Sequence, residues 1–149
     1  MKYLTGNYFP KNPKKYKGDP TRIVYRSSWE RTVFVKLDTW DNVLQWSSEE
    51  IVIPYRSPID EKIHRYYPDG WVKMKTKDDK IITMILEIKP FAQTQVPKKK
   101  SRVTKKYIQD LVTYGVNQAK FNAAKAYCED RDWKFQVLTE FDIYPKKKS

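Results

Sequence analysis

At 149 residues, with a net charge of +12, one cysteine and one histidine, the chain is long enough to bury a core as one domain. Cys128 alone excludes a disulfide framework or a cysteine-rich zinc site, and His64 alone leaves no set for a zinc centre or a Ser-His triad. No apolar run approaches membrane-spanning length and no signal-peptide pattern opens the chain, so a soluble protein of a reducing compartment is expected.

The charge is unevenly placed. Residues 1–22 hold six basic residues against one acid, residues 90–106 six against none, and residues 144–149 three, which leaves the remainder close to neutral. A near-neutral body with basic extensions suits a polyanionic partner, because lysines set against phosphates release condensed counterions. A membrane surface fits less well, since no strongly amphipathic basic helix accompanies the charge. Nucleic acid is the expected partner.

In chain order, residues 1–22 are rich in Pro, Gly and Lys with interleaved Tyr, and read as an extended basic arm. A helix follows over about 28–40. Ser27 and Glu30 have capping-box spacing, and Val33, Phe34 and Leu37 form an apolar stripe. Residues 43–46 and 51–55 are short β-type runs, and 56–64 is a turn-rich connection. A strand near 66–76, a KDDK turn and a strand over 81–89 come next. The second of these, IITMILEIK, is apolar on both faces and so reads as a central strand. A lysine-rich loop runs to about 103, helical signals cover 104–130 with a break near Gly115, and WKFQVLTEF (133–141) is a last strand. The order αβββαβ specifies an α/β fold, helices packed on a mixed sheet, in one domain over 1–149 with a short basic tail at 144–149.

One placement of charge stands out. In an antiparallel hairpin, residues equidistant from the turn face each other. Asp69 and Glu87 are each nine residues from position 78, inside KDDK, and should lie side by side at the open end. Lys89, two beyond Glu87, projects from the same face. Two adjacent carboxylates and a lysine are costly to leave unpaired. A divalent cation relieves the repulsion, and oxygen donors suit Mg²⁺ or Mn²⁺. The Ile88 carbonyl, between the two side chains, offers a further ligand. The competing reading is two solvated strand ends with a surface ion pair.

Pro68-Asp69 and Glu87-Ile88-Lys89 resemble the PD-(D/E)XK nuclease family. The resemblance implies a restriction-endonuclease-like core, with Asp69 and Glu87 as metal ligands and Lys89 orienting or activating the attacking water. The metal in such chemistry lowers the pKa of water and stabilises the pentavalent charge. Glu30 shares helical spacing with Val33, Phe34 and Leu37, on the face that should meet the sheet, where a glutamate is expensive without a partner. It either completes the capping box or points into the metal site, and one rotamer is not expected to serve both.

Weaker signals stay open. Gln118 and Lys120 face the site or solvent, Asn117 is equally an N-cap, and His64 contacts DNA or a water or does neither. Glu49 and Glu50 form a solvated turn or send one carboxylate toward the metal. Tyr66, Tyr67 and Trp71 belong to the core or stack on unpaired bases. Lys98, Lys99, Lys100, Arg102, Lys105 and Lys106 are expected to grip backbone phosphates without reading sequence.

The wider layout, YRSSWERTVFVKLD, VLQWSSEEIVIPY, HRYYPD, ILEIKP and NQAKFNAAKAYCEDRDWKFQVLTE, is similar to the head-completion nucleases of large contractile-tailed phages. It is also similar to the N-terminal domain of transposon-end-cutting endonucleases, over about residues 5–141. The resemblance implies a nuclease that trims or resolves DNA protruding from the portal after packaging and readies the head for tail joining. It further implies DNA ends and portal or neck proteins as partners, first in the host cytoplasm and then at the virion head or neck. Gly70 departs from the pattern, since relatives more often carry a bulky residue after PD. Two other classes remain: a DNA-end-binding joining protein with a vestigial nuclease fold, and a transposase-type subunit, which would need a second domain.

Overall fold

The computed structural model describes residues 4–99 and 101–145. After β1 (Gly6–Asn7) and β2 (Val24–Tyr25), which pair with each other, helix α1 spans Ser28–Thr39. The Ser27 side chain caps it by accepting from Glu30 N at 3.1 Å. β3 (Val43–Ser47), β6 (Gly70–Lys75), β7 (Ile81–Ile88) and β8 (Lys134–Leu138) form the main sheet, in the order β3-β6-β7-β8. β4 (Ile53–Arg56) and β5 (Ile63–Tyr66) form a separate hairpin. α2 runs over Lys105–Asp130 and α3 over Glu140–Ile143.

β7 lies inside the sheet, antiparallel to β6 and parallel to β8, with Ile85 to Ile88 all buried. Alternation divides its side chains between two cores. Leu86 and Ile88 join Val33, Phe34, Leu37 and Trp46 under α1, while Ile85 joins Trp71, Tyr66, Ala124 and Cys128 under α2 and the β4–β5 hairpin. The mixed sheet flanked by helices is the expected fold class. The β6–β7 register, Gly70 opposite Leu86 through Lys75 opposite Ile81, is the one symmetrical about position 78.

Several boundaries differ from the sequence reading. Tyr66 belongs to β5, not to the strand that follows, because the chain bends through Pro68, which has no N–H for a ladder. Residues 63–66, read as connection or strand start, pair with the run at 53–56 rather than entering the main sheet. α2 passes through Gly115 unbroken, so Asn117 is a buried mid-helix residue and not an N-cap. β8 ends at Leu138, and Thr139 then caps α3 in a complete capping box with Asp142.

The segment read as a basic arm lies against the core. Tyr8, Tyr16 and Ile23 are buried, and Trp46 meets Tyr8, Tyr16 and Phe34 ring to ring. The clasp is Asp38. Wholly buried on α1, it accepts from Tyr8 Oη at 2.7 Å, Lys11 N at 2.7 Å and Asn12 N at 2.9 Å. Its carbonyl accepts from Asn12 Nδ2 and Lys15 Nζ. Each bond to a charged acceptor is worth about 1.5–3 kcal/mol, and removing the carboxylate strands the buried Tyr8 hydroxyl. Asp38→Ala is therefore expected to destabilise the fold by about 4 kcal/mol in urea unfolding and to open residues 4–22 to trypsin. An unchanged midpoint would show that the strap is held by its aromatics alone.

Candidate metal centre

Four chain segments send carboxylates to one end of the sheet. Continuing the β6–β7 register by one residue sets Asp69 opposite Glu87. The two carboxyl groups lie within hydrogen-bonding reach of each other. Asp69 Oδ2 also accepts from Ile88 N at 2.7 Å, which closes the open end of the hairpin. In an antiparallel pair a residue's N–H and C=O project to the same side, so the Ile88 carbonyl faces this edge as well.

Glu30 enters from the start of α1, on the other side of the sheet, and Glu49 from the turn after β3. One oxygen from each of Glu30, Glu49 and Asp69 lies within 4.8 Å of the other two. Glu87 is outside that trio but shares Asp69 with it. Asp69 thus joins the hairpin acids to the loop and helix acids.

The two oxygens of Glu30 stand in different surroundings. Its Oε2 accepts from Arg26 N at 3.3 Å and from Ser27 Oγ at 3.4 Å, capping the helix. Its Oε1 is buried with no hydrogen-bond partner among the described residues. The capping contact falls on Arg26, one residue earlier than the capping box requires, and this leaves the second oxygen free. An orphaned carboxylate oxygen beside two further acids is the donor set a hard cation takes. The residues fit a divalent cation.

Glu49 is the residue that sequence reasoning left unresolved. Its backbone φ of 55° lies in the left-handed region, unusual for a glutamate. Arg26 holds it in a fork, Nε to Oε1 at 3.1 Å and Nη2 to Oε2 at 2.9 Å. Glu50 points elsewhere, accepting from Tyr16 Oη at 3.2 Å.

The electrostatics follow from this crowding. Burial above all, then the charge of Asp69, pushes the Glu30 carboxyl up to about 7. Glu87, 5 % exposed, is raised well above the carboxylate range by burial first, then by the charge of Asp69 and a shared hydrogen bond with it, against the opposing effects of Tyr66 and Lys89. The Tyr66 hydroxyl is buried without a hydrogen-bond partner among the described residues, and burial first, then the charge of Glu87, drives its pKa upward.

The site opens into a cleft of about 450 Å³, whose walls include Arg26, Arg65, Tyr67, Ile88, Lys89 and Lys120 beside Glu30, Asp69 and Glu87, while Glu49 stands outside this lining. Lys120 Nζ lies 5.7 Å from the Tyr55 ring and 5.8 Å from Tyr66. A second cavity of about 470 Å³, between residues 92–97 and α2, is lined by Lys106, Tyr114 and Asn117 and shares Gln93 with the first. His64 is not among the cleft residues. It lies on β5 with Nε2 on Asp60 Oδ2 at 2.8 Å. Gln118 lines neither cavity. Lys98, Lys99 and Arg102 lie exposed on the loop before α2, and Lys105 and Lys106 open that helix. Lys100 is outside the described residues. Trp71 is core, whereas Tyr67 is exposed at the cleft. At Gly70 a Cβ would stand 3.5 Å from Ser47 O, an ordinary contact, so nothing in the space requires glycine there.

Residues 40–140 match the family described as TnsA-like endonuclease N terminal. The chain belongs to the TnsA-like endonuclease family. It is a DNA endonuclease of the PD-(D/E)XK-related kind, as the PD and EIK motifs imply. The match includes Glu49, Asp69, Glu87 and Lys89, while Arg26 and Glu30 precede it. The chain is also 39 % identical, over 140 residues and 91 % of each sequence, to the "Head completion nuclease" of Enterobacteria phage T4. Among the described residues, no helix is long and apolar enough to cross a membrane.

Burial of these acids has a consequence for stability. Without metal the folded protein keeps the Glu30 proton up to about pH 7, whereas the unfolded chain releases it near 4.5. Stability therefore falls as pH rises through that window, by about 2 kcal/mol from this group. In EDTA the melting temperature is expected to be higher at pH 5 than at pH 7.5, with Glu30→Gln flattening the difference. A melting temperature that rises between those pH values would contradict the burial of the acid.

Proposed function

We propose that the chain hydrolyses DNA phosphodiesters with a divalent cation, Mg²⁺ or Mn²⁺, held by Asp69 and Glu87 with the Ile88 carbonyl. Glu30 and Glu49 complete the oxygen shell. The observation that carries this reading is the buried, unpartnered Glu30 oxygen beside Glu49 and Asp69. When bound, the cation supplies Lewis acidity and a water of lowered pKa. Lys89, next to Glu87 in chain and cleft, positions the attacking water through its ammonium group. Lys120 and Arg65 face the developing phosphate charge from the cleft wall. Lys98, Lys99, Lys100, Arg102, Lys105 and Lys106 hold backbone phosphates, which gives affinity without sequence preference. His64, paired with Asp60 off the cleft, has no part in this account.

Likeness to the phage head-completion nuclease over 91 % of the chain supports a role in completing a phage head. We propose that residues 1–149 act as one nuclease unit on DNA at the portal after packaging, in the host cytoplasm during assembly and then at the head or neck. Portal or neck proteins would be its protein partners. Branched or flapped ends are the expected substrates, with the two cavities that share Gln93 as a wall giving a strand room on either side of it.

Asp69→Ala, Glu87→Ala and Lys89→Ala should each lower cleavage by about 10²-fold or more while leaving the fold intact. The measurement is a panel of duplex, single-stranded, flapped and Y-shaped DNA with Mg²⁺, Mn²⁺ or EDTA, beside circular dichroism of each variant. Wild-type cutting by folded Asp69→Ala or Lys89→Ala would sink the mechanism. Full head-to-tail joining by a dead variant would instead favour a structural role. Neutralising Lys105 and Lys106 should weaken binding evenly across sequences and shallow its salt dependence by about one to two contacts.

A further inference from the structure

The acidic site already contains a cation of its own. Arg26 closes both Glu49 oxygens in a fork, its backbone N–H donates to Glu30, and its charge also reaches Asp69. One guanidinium thus bears on all three acids of the trio. It is not part of the core: the Arg26 side chain is 59 % exposed at the lip of the cleft, against 28 % for Glu49. Glu49 is meanwhile kept in a left-handed backbone conformation that is strained for a residue with a side chain and that the fork helps to hold.

A dication entering beside Glu30 Oε1 meets the positive fork at short range and competes with it for Glu49. A carboxylate can bridge two cations, but not without weakening each contact. Once released, the fork is left at the mouth of the cleft, where a phosphate is the anion that matches its two-pronged geometry.

We propose that Arg26 is a resident counter-cation of the metal centre: it balances Glu49 before the divalent cation binds, is displaced when it binds, and then holds a DNA phosphate. The proposal rests on the metal-dependent nuclease reading. It makes metal entry and phosphate capture one coupled event, carried by a residue outside the motif strands.

The test uses Mn²⁺ and the full-length protein. Calorimetric titration of wild type, Arg26→Ala and Arg26→Lys is made without DNA, after urea unfolding has shown all three folded. The exposed pair is worth about 0.2–1 kcal/mol, so Arg26→Ala should bind Mn²⁺ about two- to fivefold more tightly, with Arg26→Lys between. Anisotropy with a phosphorothioate duplex should then show Mn²⁺ tightening DNA binding in wild type and much less in Arg26→Ala. Equal Mn²⁺ affinities overturn the proposal. So does weaker binding by Arg26→Ala, which would make the arginine a prop for the Glu49 turn. Equal tightening of DNA binding by Mn²⁺ in both proteins overturns the phosphate-holding step. If wild type binds no Mn²⁺ at all, the metal-dependent reading itself fails and this inference with it.

Discussion

The pair of carboxylates at the open end of the β6–β7 hairpin is the constraint around which the rest of the molecule is arranged. Asp69 and Glu87 would repel each other if both were ionised, and the nearly dry position of Glu87, on a strand covered on both faces, adds to that cost. A sheet would splay to relieve that repulsion if nothing opposed it. The Ile88 N–H on Asp69, the parallel ladder to β8 and the two cores above and below the strand keep it closed. Stability is given up locally for a site that a cation can complete, as at many functional centres.

The core under α1 explains how acids from opposite sides of the sheet come to meet. Glu30 reaches the hairpin end only if the start of α1 is fixed, and α1 is fixed by the strap of residues 4–27 clasped on Asp38 and stacked on Trp46. The basic N-terminal segment is therefore part of the scaffold as well as a source of positive charge. Glu49 arrives by a different device, a backbone turn with positive φ just after β3, and Arg26, two residues before α1, ties it to the helix start. Four acids on four elements converge because two helix and loop termini happen to be anchored beside one strand end.

How much of this is legible in the sequence depends on whether the signal is periodic. The hairpin register could be read because the turn is short and the strand apolar throughout, so a one-residue slip would expose one face of the core. The ends of α1 and the central place of β7 are legible for the same reason. The β4–β5 hairpin was not, since its two runs satisfy each other locally and carry no mark of standing outside the main sheet. The strap escaped because Tyr8, Tyr16 and Ile23 are single apolar residues in a basic, proline-containing stretch, where spacing holds no period. Glu49 escaped because a glutamate in SSEE looks like any solvated turn. Its only sequence signal was proximity to the motif strands, and its backbone conformation has no residue-level signature when the residue is not glycine. Glu30 was singled out by its place on the buried stripe, but that one oxygen would meet the helix start while the other stays without a partner has no sequence signature.

The family match spans the hairpin acids and the lysine, and this geometry adds what stands around them: a buried oxygen without a partner, a third acid held by an arginine, and a second cavity along α2. The proposed role of the acids rests on a cation occupying the space between Asp69, Glu87, Glu30 and Glu49. Anomalous diffraction at the manganese edge, from crystals grown with MnCl₂, tests that directly. The account predicts a peak within coordinating distance of Asp69 and at least two of the other three carboxylates, with Glu30 Oε1 turned to it. A strong peak elsewhere on the protein, or none at this site at saturating Mn²⁺, would contradict it.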